Sequence, residues 1–149
     1  MEAVNGFIEE RISIIMIMTI LIDSALFYIL KTEKLLEYEK GYIYILFLCH
    51  ALFYTSFLTK DVNLRDNQHM VFTISTMVVS LFLINKKFLK LITTILSAML
   101  IFWLIDGRCP IGKFDETFEW YKDFSNDNKI FFNLWPWIVL SILITKLFL

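Results

Sequence analysis

Two apolar runs, Ile12 to Leu30 and Tyr42 to Leu58, constrain this chain more than any other feature, because each contains one ionisable residue near its middle and no other charge. The residues are Asp23 in the first run and His50 in the second. The first run spans 19 residues, about 28 Å of helix at ~1.5 Å per residue, against a hydrocarbon thickness of about 30 Å. Unbroken runs of this kind suit lipid as the solvent, whereas a soluble helix shows an apolar stripe. Composition agrees, with 58% of the 149 residues hydrophobic against roughly 45–50% in soluble domains.

The remaining chain reads as more of the same in a single domain, 1–149. A third run, Met70 to Ile84, becomes long enough to cross when Gln68, His69 and Asn85 are borrowed at its ends, giving a span at 69–85. Asn85-Lys86-Lys87 turns into a fourth run at 88–105, where Lys90 can snorkel to the surface. A fifth, 130–149, carries Pro136 near its start, where a missing N–H costs little. The predicted class is therefore all-α: a multi-spanning helical bundle of five transmembrane helices with spans at 12–30, 42–58, 69–85, 88–105 and 130–149. A re-entrant third run would reduce the number to four.

The segments between the spans are polar. Lys31 to Gly41 places opposite charges three and four residues apart, which predicts a helical turn or two in water, with Gly41 as a stop. Lys60 to Asn67 reads as an aqueous loop. In the surface loop 106–129, Phe114, Phe118, Tyr121 and Phe124 recur at helical spacing opposite Asp115, Glu116, Glu119, Lys122 and Asp123. This pattern predicts a short amphipathic helix lying along the membrane surface. Trp120, Trp135 and Trp137 read as an interfacial belt. The acidic N-terminus lacks the basic segment and small-residue cleavage site of a signal peptide, so the first span is expected to stay as an anchor.

Orientation follows from the basic residues. With five spans, Lys31, Lys34, Lys40, Lys86, Lys87, Lys90 and Lys146 share one side, and most acids fall on the other. The N-terminus is expected outside or lumenal and the C-terminus cytoplasmic.

Asp23 lies seven residues before the end of its run and His50 eight residues into the next. In an antiparallel hairpin the two arrive at nearly the same depth. An aspartate at mid-membrane costs about 2.5–3.5 kcal/mol on the insertion scale and marks a site by default; pairing with His50 offsets part of that. One reading is a proton- or ion-handling pair, since histidine titrates near neutral pH. The other, which we weight more, is a polar clamp fixing helix packing. Thr73, Thr76 and Ser80 share one face of the third run and could line a polar path, although close-packed membrane helices use the same residues. Cys49 reads as a core thiol. Cys109, beside Arg108, is a candidate reactive thiol. His69, next to the loop, reads as solvated.

Several classes are excluded. A net charge of −1 and no clustered basic motif argue against nucleic acid as a partner. Two cysteines are too few for a disulfide framework or a zinc site, and the phosphate-cradling, metalloprotease and nucleophile-elbow motifs are absent. No metal, cofactor or catalytic residue is expected, and a membrane enzyme comes only third among the readings, with Cys109 and the acidic loop as its only candidates. The expected function is a small structural or accessory subunit of a membrane assembly, in contact with the lipid bilayer and with other membrane chains or copies of itself. The alternative is a small proton, ion or solute transporter or channel using Asp23 and His50.

Overall fold

The computed structural model describes residues 2–106 and 129–149. Among these every regular element is helical: α1 (Glu2–Thr32), α2 (Glu37–Thr59), α3 (Val62–Val79), a 3-10 turn (Ser80–Phe82), α4 (Lys86–Asp106) and α5 (Lys129–Phe148). Cys109, Trp120 and the predicted surface helix lie outside the described residues.

The helix boundaries have local causes. α1 runs without a break from the acidic N-terminal segment through the first apolar run and ends with Lys31 in its last turn, where a cation suits the exposed carbonyls. Only residues 33–36 separate it from α2, and Gly41 lies inside α2, where the sequence reading made it a stop. The helix start is instead fixed by Glu39, whose Oε2 accepts the Leu36 N–H at 3.0 Å. This is the glutamate half of a capping box, and it draws the helix boundary upstream of the glycine.

The turn from α2 to α3 is tighter than an aqueous loop. Lys60 adopts the left-handed conformation (φ 56°, ψ 29°), and Asp61 N–H donates to Ser56 O at 2.9 Å, the closing bond of a Schellman motif. Asp61 Oδ1 then accepts the Leu64 N–H at 3.0 Å, capping α3 at once. Asn63, Arg65 and Asn67 are therefore helical, a correction to the loop reading. Conversely, the end of the third run is not α-helix: the 3-10 turn gives way to extended Leu83 (φ −61°, ψ 134°). Asn85 Oδ1 starts α4 by accepting the N–H groups of Lys87 and Phe88 at 3.1 and 3.0 Å.

α1, α2 and α3 alternate in direction. Asp23 meets His50 while Tyr54 Oη, one turn further along α2, donates to Met16 O at 3.3 Å. Tyr42 meets Thr76, and His50 meets Phe72. The core is continuous: Leu26 of α1, Ile43 of α2, Leu83, Phe88 of α4, and Val139 and Leu143 of α5 are all fully buried.

The exterior is apolar as well. Ile17, Leu21 and Phe27 on α1, Leu48 on α2, Ile74 on α3, Leu104 on α4 and Ile138 on α5 are exposed. Two helices, α1 over Ile15–Thr32 and α2 over Glu37–Thr59, are long and apolar enough to cross a membrane. In the apolar 18-residue windows of these two helices, 17% and 39% is buried inside the chain. Leu134–Phe148 of α5 is a shorter apolar helix.

Candidate functional site

The antiparallel α1–α2 hairpin brings the two mid-run ionisable residues together: His50 Nδ1 lies 2.5 Å from Asp23 Oδ1. The partners are unequally covered. The His50 side chain is 8% exposed and that of Asp23 is 28% exposed. The imidazole is held between α2 and α3, its ring 5.4 Å from that of Phe72, while the carboxylate sits at the edge of α1. With Asp23 ionised, the Nδ1–H donates to it, a charge-assisted bond of the stronger kind. Such a pair can lock two helices or hold a proton, and its geometry alone suits both.

The polar side chains around it are committed to packing. Tyr42 Oη donates to Thr76 Oγ1 at 3.0 Å, where both residues are buried. Ser80 Oγ bonds back to Met77 O at 3.3 Å. Thr73 Oγ1 is buried with no hydrogen-bond partner. The Thr73–Thr76–Ser80 face is thus turned inward, with Thr76 against α2. Elsewhere the hydroxyls of Thr19, Thr93, Ser97, Ser141 and Thr145 bond to carbonyls four residues back on their own helices, which satisfies them without a partner helix. Cys49 is buried. His69 is only 2% exposed, a correction to the solvated reading, because α3 starts early enough to carry it inward. No group of three or more His, Cys, Asp or Glu side chains that could hold a metal ion occurs among the described residues.

A second polar cluster, unforeseen from the sequence, gathers at the other end of α2. Glu39 is 1% exposed, and its Oε1 accepts the N–H groups of Ile84 and Asn85, each at 2.9 Å. Lys146, near the end of α5, donates through Nζ to the carbonyls of Leu81 and Leu83 at 2.7 and 2.8 Å. Tyr38 Oη donates to Phe82 O at 2.8 Å. Beside them Glu33 accepts from Lys87 Nζ at 2.6 Å and from Asn85 Nδ2 at 3.3 Å. The Lys87 and Asn85 bonds hold the Glu33 carboxyl below its usual range, and Glu33 in turn pushes the Lys87 ammonium up. The non-helical backbone of 81–85 is therefore gripped from α2 and α5, and the end of α1 is tied to the start of α4.

The sequence signal for this clasp was faint. Glu39 sits among so many charges that it reads as solvated, and Lys146 reads only as a basic residue near the chain's end. A hint lies in Leu36, an apolar residue at an N-cap with glutamate three positions on.

Comparison with protein families, with characterised proteins and with solved structures gives no match to this chain. Its functional reading rests on its own residues.

Proposed function

We propose that this chain is a multi-span integral membrane protein without catalytic activity, a structural or accessory subunit of a membrane assembly such as a respiratory-type complex or a viral membrane. The observation that carries the reading is the division of labour in its side chains. Among the described residues each helix exposes apolar side chains, while most polar groups within the helices bond to one another or to their own backbone, Thr73 Oγ1 excepted. A protein so arranged offers lipid and neighbouring chains a broad apolar surface and keeps little polar functionality for a substrate.

Five crossings are supported by the clasp. It brings to one end the last turn of α1, the first of α2, the turn after α3, the first turn of α4 and the last turn of α5, as an alternating five-helix path requires. By the positive-inside rule the lysines of these connections favour the cytoplasmic side for that end, and so the N-terminus outside or lumenal.

Purification in mild detergent tests this directly. The subunit reading expects co-purification with other membrane chains or as a defined oligomer; a lone monomer would count against it. Cysteines introduced at Lys34 and at Asp61 should react with an impermeant reagent from opposite sides of a sealed membrane.

The second reading, a small proton, ion or solute transporter or channel, is favoured by the partial exposure of the Asp23 carboxylate against a buried imidazole. In proteoliposomes carrying a pH-sensitive dye, flux abolished by Asp23→Asn and by His50→Ala would establish proton movement and displace the subunit reading.

A further inference from the structure

The clasp end of the molecule carries four exposed lysines, Lys31, Lys34, Lys86 and Lys90. The acids of the same region are already engaged. Glu33 is bonded to Lys87 and Asn85, Glu37 to Lys40 at 2.7 Å, and Glu39 is buried on three backbone N–H groups. Among the described residues no carboxylate bonds to any of the four lysines. Lys31 Nζ instead lies 5.6 Å from the centre of the Phe27 ring.

Their placement is set by the Glu33 bonds. Lys31 and Lys34 flank Glu33 in sequence, and Glu33 is tied to Asn85 and Lys87, so the end of α1 and the start of α4 lie side by side. Lys86 and Lys90, both exposed and one turn apart, lie in the first two turns of α4, next to that junction in the chain. Exposed apolar side chains lie close by in the chain: Phe82 and Ile84, just before Lys86, are 66% and 67% exposed, and Tyr28, three residues before Lys31, is 60% exposed. A soluble polyanion has no use for such neighbours. A phospholipid does, because its phosphate meets the ammonium groups while its acyl chains lie against the apolar ones.

We propose that the lysine patch at the α1–α4 junction, Lys31, Lys34, Lys86 and Lys90, binds the headgroup phosphates of anionic phospholipids. The inference rests on the membrane reading above. Each lysine near an anionic surface contributes about fivefold in apparent affinity, so removing three lowers it on the order of a hundredfold.

The test is thermal unfolding of the detergent-solubilised full chain during titration with phosphatidylglycerol, phosphatidylcholine or inorganic phosphate. Lys34→Gln/Lys86→Gln/Lys90→Gln is compared with the parent and with Lys60→Gln, a control at the α2–α3 turn. The expected result is saturable stabilisation by phosphatidylglycerol beyond that given by phosphatidylcholine, weakened by salt, lost in the triple variant and kept in the control. Equal stabilisation by phosphatidylcholine, an unchanged triple variant, or the same effect from inorganic phosphate would each overturn the lipid site while leaving the membrane reading intact. A chain that stays folded and monodisperse in water without detergent would instead remove the membrane reading itself.

Discussion

Glu39 and Lys146, far apart in the sequence, hold the same segment by its two opposite kinds of backbone group. Glu39 accepts the N–H groups of Ile84 and Asn85, and Lys146 donates to the carbonyls of Leu81 and Leu83. Where the chain leaves the α-helix among packed helices, these backbone groups need partners, because bare ones are costly away from water. The carboxylate and the ammonium supply them from α2 and α5.

Removing either grip should therefore destabilise the fold, unequally. Glu39→Ala strips partners from three N–H groups and is expected to cost about 3 kcal/mol or more, from ~1–3 kcal/mol for each buried group left unsatisfied. Glu39→Gln, which keeps one acceptor oxygen, should fall between Ala and the parent. Lys146→Met leaves two carbonyls bare and should cost about 2 kcal/mol or more by the same scale. Unfolding of the three variants in micelles, followed by circular dichroism, gives the order; a Glu39→Ala protein as stable as the parent would show that the clasp holds nothing.

Two backbone positions carry the less suitable residue. Gly41 sits within α2 with nothing within 4 Å of where a Cβ would be placed, so Gly41→Ala should stabilise by about 0.5–1 kcal/mol. Lys60 holds a left-handed conformation at φ 56°, which disfavours any side chain by roughly 1–2 kcal/mol, so Lys60→Gly should stabilise on a similar scale. Unfolding midpoints of the two single variants check both; a loss of stability in Gly41→Ala would mean that the helix interior there is more crowded than the open Cβ position indicates.

These positions also show what the sequence could reveal. The helical hairpin and the meeting of Asp23 with His50 were legible, because run length fixes depth and an antiparallel pair brings equal depths together. The helix boundaries were less so. Gly41 looked like a stop because glycine usually ends helices, but here the Glu39 carboxylate fixes the start. Asn63 to Asn67 looked like a loop because they are polar, yet the Asp61 cap starts α3 ahead of them. Glu39 and Lys146 were barely legible as partners because each binds backbone, which leaves no complementary side chain for a pattern to find. His69 moved inward once α3 began early. Hydropathy reads burial from composition, and these residues are placed by capping and by backbone hydrogen bonds.

The Asp23–His50 pair is expected to behave as a coupled unit in stability. Asp23→Leu alone leaves the buried imidazole without its acceptor, and His50→Leu alone leaves a carboxylate without its donor. The double variant removes both polar groups and should be close to neutral or more stable than either single. The coupling energy from the double-mutant cycle should be about 1 kcal/mol, as for hydrogen bonds between membrane helices. Additive losses would mean that the 2.5 Å contact contributes nothing to holding α1 on α2.

The Glu33–Lys87 pair sets a pH dependence whose sign follows from the two shifts. Glu33 is held below the usual carboxylate range by its bonds from Lys87 and then Asn85, so it binds fewer protons folded than unfolded. Its contribution to stability is present above the unfolded carboxylate value and is lost as pH falls through the lower, folded one. Lys87 is pushed up by its bond to Glu33, so its contribution is complete below the unfolded lysine value and is lost as pH rises through the folded one. The difference in unfolding midpoint between the parent and Glu33→Gln should therefore be flat across neutral pH. It should shrink on the acid side as the parent's carboxylate protonates, and again at strongly alkaline pH as Lys87 deprotonates. Because Lys87 is 63% exposed, salt should reduce the plateau. A difference that grew on acidification would reverse the assigned sign and show that Glu33 is harder, not easier, to ionise in the folded chain.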